Sequence, residues 1–415
     1  MKQVDIILSS SINHIGGPVG TLKRILKNKD YFESRGYAIS VFTFESIALG
    51  PFNSIDNLPV TPIPSSKQIR RMKVSSFVRK ILLKSGHLSC LIIWKKYRKT
   101  KELVNYYVSL DRNPDIVQCH SHYDGSHYLS MRMNDRPMSV VFLHSNGIPY
   151  DQELTSIPKL AKTRYFKKLK EQCDWMINNA NLLAFIANIS QRNFLECYPN
   201  RSLLDTVVIK NGIDDLSIEQ RVEYEKLKKE NKGRNFKYRL CCVGTVSYRK
   251  GQRLIIETMH LLSAEVLKEL HVDFIGDGPE RPKLESLVVN YALEDNVRFC
   301  GSVPNVDVYK YLAQNNIYIL MSRNEGLPIS VLEAMRVAMP IIGTNVAGIP
   351  ECINNGYNGF LLNYDKDELA SLLQKLSDYD WVQMGRNSRI KFENEFTFDR
   401  MKKEFCDMYD KMLKV

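Results

Sequence analysis

The chain has 415 residues, of which 44% are hydrophobic and 25% are charged, and its formal net charge is +12. This length exceeds what a single hydrophobic core usually supports, so we expect two domains. The composition is that of a folded globular protein and excludes a fibrous or intrinsically disordered one.

The first residues predict neither a signal peptide nor a membrane anchor. The apolar stretch 6–8 is too short for the core of a signal peptide, and no apolar run in the chain approaches the length of a membrane span. We therefore expect a cytoplasmic protein. The nine cysteines include no Cys-x-x-Cys pair. Cys119, Cys241, Cys242 and Cys300 fall in predicted buried strands, where we expect small core residues and neither disulfides nor zinc ligands.

The first half of the chain alternates predicted strands with helices, which indicates an α/β domain with a parallel sheet. A Gly16-Gly17 loop follows the first strand. Two helices are expected, at 21–35 and 158–177. The predicted strands of this half are 4–8, 39–44, 115–119, 139–143 and 182–187.

A strongly basic segment interrupts this half between residues 67 and 103. The segment contains twelve Lys or Arg residues and a single acid, Glu102, so it carries +11 of the net charge. Aromatic residues, among them Phe77, Trp94 and Tyr97, are interleaved with the charges. This pattern favours a surface that binds anionic lipid. A packed helix with a solvated basic face and a nucleic-acid patch are the competing interpretations.

The composition changes at the end of the first half. Residues 216–234 are highly charged and carry no strand signal, so we place the domain boundary near residue 213. The predicted domains are 1–212 and 213–396, and an amphipathic helix is expected at 397–415. The predicted strands of the second domain are 238–243, 272–275, 297–300, 317–321 and 340–343.

Two glutamates mark a candidate ligand site in the second domain. The buried strand 317–321 precedes Glu325, and Pro328 is predicted at the first position of the next helix. Glu333 then falls on the second turn of that helix. Ligands of parallel sheets bind at the carboxyl ends of strands, and a helix start binds anions while a carboxylate accepts from hydroxyl groups. A sugar nucleotide carries both phosphate and hydroxyl groups.

A second candidate group follows the strand 238–243. Thr245, Arg249 and Lys250 lie in the short loop after this strand, and Gly251 follows them directly. Two cations at this position can neutralise a diphosphate, and glycine allows the backbone to approach it.

The sequence predicts no metal site. His120 and His122 have a spacing typical of metal ligands, but no third ligand accompanies them, so a hydrogen-bonded role is expected. The Asp-x-Asp pairs at 365–367 and 378–380 lie beside helix starts and are expected to be helix caps.

These motifs together resemble a known enzyme family. In order and spacing, they resemble the retaining glycosyltransferases of family 4, which have the GT-B fold of two Rossmann-like parallel-sheet domains that face each other across a cleft. The segments that carry the resemblance are Val297 to Gly301, Glu325 to Pro328, Leu332 to Met335, Pro340 to Thr344, Gly348 to Glu351 and Gly359 to Leu362.

The resemblance implies roles for the glutamate region. Glu325 would hold hydroxyl groups of the donor sugar, and the backbone at Gly326 and Leu327 would meet sugar and phosphate. Glu333 would bind the ribose. His144, after the strand 139–143, would face the donor sugar, because the family commonly places a histidine there. Gly17 would correspond to the family's N-terminal glycine loop. The helix 397–415 would return to the first domain, as the corresponding helix does in the family.

The cation loop departs from the family in one respect. The family usually has Arg-x-x-x-x-Lys-Gly, and Lys250-Gly251 match it, but Thr245 stands where the arginine is expected. We expect Lys250 to stabilise the departing nucleoside diphosphate. Either Arg249 supplies the missing charge, or the diphosphate is bound more weakly than is usual in the family. No cofactor and no metal are expected, because the nucleotide sugar is a cosubstrate.

The sequence therefore predicts a retaining, metal-independent glycosyltransferase. It would move a sugar, with a UDP-sugar as the favoured donor, to a glycan or lipid-linked acceptor in bacterial surface polysaccharide or glycoconjugate synthesis. The basic segment could hold it on the inner face of the plasma membrane, and no nucleic acid is expected as a partner. A sugar-nucleotide 2-epimerase of the same architecture, or a basic protein that binds lipid or nucleic acid, remains the alternative.

Overall fold

The computed structural model describes residues 1–13, 17–59, 86–132, 137–231 and 236–414. The chain forms two compact units. The first contains residues 1–210 and 399–415, and the second contains residues 211–398. The sequence placed these boundaries at 212/213 and 396/397, two residues away in each case.

The first unit contains a six-stranded sheet in which every paired strand is parallel. The strands are β1 (Lys2–Ile7), β2 (Tyr37–Phe42), β3 (Ile116–Cys119), β4 (Met138–Leu143), β5 (Leu182–Phe185) and β6 (Thr206–Val208). Their order in the sheet is β2-β1-β3-β4-β5-β6, so the order reverses between β1 and β3. All residues of β3 and β5 are buried, as expected for strands that are covered on both faces.

Helices surround this sheet and differ in places from the predicted ones. The single helix expected at 21–35 is two helices, which meet at Asn28, where the side-chain Nδ2 donates to the carbonyl of Arg24 and competes with helix continuation. Gly17, expected in a loop, is the first residue of the earlier helix. The α-helices of this unit are Gly17–Lys27, Lys29–Ser34, Ser46–Leu49, Gly86–Ser109, His122–Met131, Asp151–Ser156, Arg164–Asn179 and Asn188–Cys197.

The helix expected at 158–177 also divides. Residues Pro158–Lys162 form a 3₁₀ turn, and the α-helix starts after Thr163, whose hydroxyl accepts from the backbone N–H of Phe166. This N-cap bond fixes the helix start.

The second unit contains another six-stranded parallel sheet. Its strands are β7 (Tyr238–Val243), β8 (Leu270–Ile275), β9 (Val297–Gly301), β10 (Ile317–Leu320), β11 (Ile341–Thr344) and β12 (Gly359–Leu362). Their order in the sheet is β12-β11-β10-β7-β8-β9. This is the dinucleotide-binding strand order, and it reverses between β7 and β10, where ligands bind in such sheets. The edge strand β12 was not predicted as a strand.

The helices of the second unit cover both faces of this sheet in the manner expected for parallel strands. They are Ile218–Glu230, Gln252–Met259, Ala264–Glu269, Arg281–Asn290, Val308–Leu312, Ile329–Arg336, Ile349–Cys352, Lys366–Leu373 and Trp381–Glu395. The C-terminal helix, Phe398–Leu413, follows them, and residues 399–415 belong to the first unit.

Two further predictions need correction, and part of a third lies outside the described residues. Pro328 is the N-cap residue with an extended backbone (ψ 116°), so the helix begins one residue later, at Ile329. Cys300 is only partly buried, because β9 is an edge strand. Of the basic segment, residues 67–85, Phe77 among them, lie outside the described residues. The remainder belongs to the helix Gly86–Ser109.

Candidate active site

The loops that follow β7 and β10 meet at the point where the strand order of the second sheet reverses. The first loop carries Arg249 and Lys250, and the second carries Glu325. Arg249 Nη1 and Lys250 Nζ each lie 2.8 Å from Glu325 Oε1. The Ser322 hydroxyl donates to the same oxygen over 2.8 Å. We call Arg249, Lys250 and Glu325 the ion cluster.

The ion cluster is largely shielded from water. The side chain of Glu325 is 7% exposed, that of Lys250 is 10% exposed, and that of Arg249 is 34% exposed. Burial alone would raise the pKa of Glu325. The positive charges of Lys250 and Arg249 outweigh it and hold the pKa below its ordinary value. Glu325 is therefore ionised at neutral pH, and the cluster has a net charge of one positive unit.

Gly251 explains how the two loops come together. Its φ is +70°, and a Cβ atom built on it would lie 1.6 Å from the carbonyl oxygen of Met321. Glycine is therefore required at this position, because any side chain would push the loop away from the end of β10. The Lys250-Gly251 pair thus places the lysine beside Glu325. The Arg249 carbonyl also accepts from the backbone N–H of Arg323 over 2.8 Å, which adds a second contact between the loops.

The loop after Glu325 presents backbone donors. Among the residues that the structure describes, no acceptor is recorded for the N–H groups of Gly326 and Leu327. The carbonyl of Leu327 accepts from Asn211 Nδ2 over 2.9 Å, which fixes the orientation of this peptide. The arrangement can bind an anion or a hydroxyl oxygen.

Glu333 and Thr245 lie where the sequence placed them. Glu333 is on the second turn of the helix Ile329–Arg336 and is partly exposed. Thr245 is exposed, and its carbonyl accepts from Gln252 Nε2 over 3.1 Å. The Thr245 side chain carries no charge, so the described cations beside Glu325 are those of Arg249 and Lys250.

One feature of this site was missed in the sequence. The guanidinium carbon of Arg323 lies 4.2 Å from the ring centroid of Tyr248 and 3.9 Å from that of Tyr364. Such cation–π contacts contribute roughly 0.5–1 kcal/mol each when exposed. Through this stack, Arg323 in the loop of Glu325 contacts Tyr248 in the loop of Arg249, and it also contacts Tyr364. Only the position of Arg323 two residues before Glu325 could have indicated it.

The first unit holds the other two predicted residues. Gly17 begins a helix after β1, and Gly16 lies outside the described residues. His144 follows β4, and its Nε2 lies 2.9 Å from His120 Nδ1. His144 keeps partial solvent contact, yet burial lowers its pKa to about 4, so the ring is neutral at pH 7.

The described residues show no cluster of three or more His, Cys, Asp or Glu suited to a metal ion. His122 is buried, and burial lowers its pKa to about 4. Asp365 and Asp380 cap helices, as predicted: Asp365 accepts from the N–H groups of Asp367 and Glu368, and Asp380 accepts from that of Gln383. Within the described ranges, no helix is both long and apolar enough to cross a bilayer.

A cavity of about 520 Å³ lies elsewhere in the second unit. Its lining includes Tyr238, Ile317 and Pro340, which stand at the starts of strands. Ligands of doubly wound sheets bind at the opposite edge, beyond the carboxyl ends. We therefore assign the candidate site to the ion cluster and not to this cavity.

Comparison with known proteins finds a family that matches part of the chain. Residues 223–390 match the family model described as glycosyl transferases group 1. This range contains the whole ion cluster and Glu333. It ends before the C-terminal helix.

Two curated relatives align with part of the chain. The amylovoran biosynthesis glycosyltransferase AmsK of Erwinia amylovora is 30% identical over 167 residues, which are 38% of this chain and 41% of the relative. The N-acetyl-alpha-D-glucosaminyl L-malate synthase of Bacillus anthracis is 31% identical over 173 residues, which are 40% of this chain and 44% of the relative. The chain thus spans less than half the length of these relatives.

Solved structures extend the likeness to the whole fold. The structure of Anabaena HepE in complex with UDP has a TM-score of 0.66 and 18% sequence identity, and the match covers 98% of this chain and 99% of HepE. At this identity the likeness shows the fold alone. The predicted GT-B fold, with two Rossmann-like units, is confirmed.

Proposed function

We propose that this chain, whose residues 223–390 match the glycosyl transferases group 1, transfers a sugar from a nucleotide-sugar donor to a glycan or lipid-linked acceptor. The observation that carries the proposal is the ion cluster at the reversal point of the second sheet. It combines two cations that can bind a diphosphate with a carboxylate that can bind sugar hydroxyls. Each cation lies 2.8 Å from the carboxylate.

Each residue of the site has a role in this proposal. Lys250 and Arg249 stabilise the negative charge that develops on the leaving diphosphate. Glu325 accepts hydrogen bonds from sugar hydroxyls. The N–H groups of Gly326 and Leu327 donate hydrogen bonds to sugar or phosphate oxygens of the nucleotide sugar.

The remaining predicted residues contact the rest of the donor. Glu333 accepts from the ribose hydroxyls, and Thr245 lines the phosphate loop. In the first unit, Gly17 supplies backbone beside the donor, and His144 contacts the transferred sugar. The structures of HepE with UDP and with UDP-glucose support a UDP-sugar as the donor.

The proposed reaction is group transfer with retention of the anomeric configuration. The acceptor oxygen forms a bond to the anomeric carbon while the bond from that carbon to the phosphate oxygen breaks. The acceptor proton passes to the leaving phosphate on the same face, and the products are a glycoside and a nucleoside diphosphate. The ion cluster stabilises the charge on the leaving group, so we propose that no metal ion is needed.

We also propose that the acceptor is encountered at an anionic membrane surface during polysaccharide synthesis. The helix Gly86–Ser109 supports this part. Trp94 and Leu91 are 50% and 52% exposed, and Lys95 and Arg98 beside them are exposed as well. Aromatic and basic side chains together favour the interface of an anionic bilayer.

A thermal-shift screen against UDP-, GDP- and ADP-sugars, in buffer with EDTA, tests donor binding. We expect stabilisation by a UDP-sugar in the wild type and a smaller shift in Lys250→Met, with Lys268→Met as a control on an exposed lysine of the same unit. Failure of every nucleotide sugar to stabilise the protein would contradict the proposal.

Incubation of the nucleotide sugar with and without an acceptor distinguishes a glycosyltransferase from a 2-epimerase. Donor consumption that depends on the acceptor, with NMR of the product showing the donor's anomeric configuration, supports retaining transfer. Formation of an epimeric nucleotide sugar without acceptor would identify a 2-epimerase.

A further inference from the structure

Four side chains of the first unit, His144 among them, form a continuous hydrogen-bonded chain. The Tyr409 hydroxyl, on the C-terminal helix, lies 2.8 Å from Gln118 Oε1 on β3. Gln118 Nε2 lies 2.6 Å from His120 Nε2. His120 Nδ1 lies 2.9 Å from His144 Nε2. We call Tyr409, Gln118, His120 and His144 the histidine relay.

Tyr409, Gln118 and His120 are enclosed, so their polar atoms depend on one another. Tyr409 and Gln118 are 0% exposed, and His120 is 2% exposed. The His120 ring stacks on Phe142 at a centroid distance of 4.8 Å and an interplanar angle of 4°. Buried polar groups that lose their partners cost about 1–3 kcal/mol each. Each of these side chains must therefore act as the donor or acceptor that its neighbour requires.

The Tyr409 hydroxyl gives the relay a direction. Gln118 is the partner recorded for it among the described residues, so its proton is donated to the Gln118 oxygen. The amide nitrogen of Gln118 must then face His120 and donate to His120 Nε2. If the amide were turned around, its nitrogen would meet the tyrosine oxygen, and the tyrosine proton would lose its acceptor.

This direction determines where each imidazole proton lies. Burial and the positive charge that His144 would carry both lower the pKa of His120, and burial lowers that of His144 to about 4. Both rings are therefore neutral at pH 7, and a neutral imidazole has one donor and one acceptor nitrogen. Because His120 Nε2 accepts, His120 Nδ1 carries the proton and donates to His144 Nε2. The proton of His144 is then on Nδ1.

We propose that the C-terminal helix fixes the tautomer of His144 through the histidine relay, so that His144 is a hydrogen-bond donor through Nδ1–H and not a general base. The basic nitrogen, Nε2, is occupied by His120. Tyr409 and Gln118 are positioning residues, which act through His120 and need no contact with substrate.

The consequence for catalysis rests on the proposed function. An Nδ1–H group suits a sugar hydroxyl oxygen or a phosphate oxygen as its acceptor. It cannot take the acceptor's proton, which leaves that proton to the departing phosphate. The tautomer itself is a property of the ligand-free protein and can be measured whether or not transfer is detected.

Long-range ¹H–¹⁵N correlation spectra of histidine-labelled protein at pH 7 test the relay. We expect His120 and His144 to show a single Nδ1–H tautomer each in the wild type. In Tyr409→Phe the hydroxyl that orients the amide is lost, so we expect the His144 ring nitrogens to shift toward a mixture of tautomers. In Gln118→Met the donor to His120 is lost, and the same mixture should appear for both rings.

Tyr37→Phe is the matched control. The Tyr37 hydroxyl donates to Asp410 on the same helix, and its ring lies 5.1 Å from that of Tyr409. This variant therefore removes a neighbouring helix contact of the same kind and leaves the relay intact, and we expect the wild-type His144 tautomer. An Nε2–H tautomer for His144 in the wild type would overturn the proposal. So would unchanged His144 signals in both Tyr409→Phe and Gln118→Met.

Activity measurements add a second readout. His144→Gln keeps an N–H donor and should retain more transfer than His144→Glu, which can only accept when ionised. The reverse order would identify His144 as a proton acceptor and overturn the proposal. If no donor is ever consumed, the proposed function fails, but the tautomer measurement still decides the relay.

Discussion

Lys250 Nζ lies 2.8 Å from Glu325 Oε1, and both side chains are at least nine-tenths buried. The two residues come from different strand-to-helix loops and are 75 positions apart in the chain. Removal of one partner of such a pair leaves an uncompensated buried charge. The ion cluster therefore affects both the stability of the second unit and the chemistry proposed for it.

Glu325→Ala should destabilise the protein as well as reduce transfer. Lys250 would lose its buried partner, at a cost on the order of 3 kcal/mol. Glu325→Gln keeps the shape, and its transfer rate at saturating donor should fall by at least about 100-fold. Thermal unfolding and steady-state kinetics measure the two effects.

Glu333→Ala is the comparison for Glu325→Ala. Glu333 is partly exposed on a helix, so its removal should leave the melting temperature within a few degrees of wild type. We expect a rise in the donor KM more than a fall in kcat, since ribose contacts act on binding. Wild-type kinetics in both Glu325→Gln and Glu333→Ala would contradict the site assignment.

Arg249→Ala should be unusually damaging, because Thr245 occupies the position of the family's arginine. Without Arg249, Lys250 is the cation that remains beside Glu325 among the described residues. We therefore expect the Kd for UDP, measured by calorimetry, to rise by about tenfold or more. Thr245→Arg, at an exposed position, should restore much of this binding in the Arg249→Ala background. No gain from Thr245→Arg would mean that position 245 does not reach the phosphate.

Transfer should survive chelation. The cations at Arg249 and Lys250 can stabilise the leaving diphosphate as a metal ion does at other sites. Rates measured with EDTA and with added magnesium should agree within about twofold. Loss of activity in EDTA that magnesium restores would show that these cations are insufficient.

His122 should make the stability of the first unit depend on pH. Burial lowers its pKa to about 4 in the folded protein from 6.5, with Lys96 also lowering it and Glu153 opposing. Between these values the unfolded chain binds more protons, so stability falls as the pH drops from 7 to 5, by at most about 1.4 kcal/mol per pH unit. Denaturation of His122→Gln over this range should show a flatter profile. An identical pH dependence in this variant would refute the assignment.

Vesicle flotation tests the membrane surface. Substitution of the exposed residues Trp94→Ser, Lys95→Glu and Arg98→Glu should reduce binding to anionic vesicles, and added salt should weaken wild-type binding because it screens the attraction. Lys96 is not changed, because it pairs with Glu153 over 3.3 Å.

Lys228→Glu with Lys229→Glu is the control for flotation, since these lysines are exposed on a helix of the second unit. This variant should float as the wild type does. Equal flotation of the wild type on neutral vesicles, or none on anionic ones, would instead indicate a packed helix with a solvated basic face.

The sequence by itself determined the architecture and the local placement of the main site residues. Buried strands of a parallel sheet are continuous apolar runs, so the strand before Glu325 and the strand before Lys250 were identified correctly, as was the confirmed GT-B fold. The order of strand, loop and helix also fixed which sheet edge these residues occupy, because the carboxyl ends of parallel strands all lie at one edge.

Only the tertiary structure decided which of these groups meet. The ion cluster joins positions about 75 apart, and the hydrogen bond from Tyr409 to Gln118 joins positions 291 apart. The Arg323 stack and the edge strand Gly359–Leu362 depend in the same way on neighbours that are remote in the chain. Local periodicity reports the face that a residue buries, but the partner on that face is set by strand order and packing, which one sequence does not encode in any local pattern.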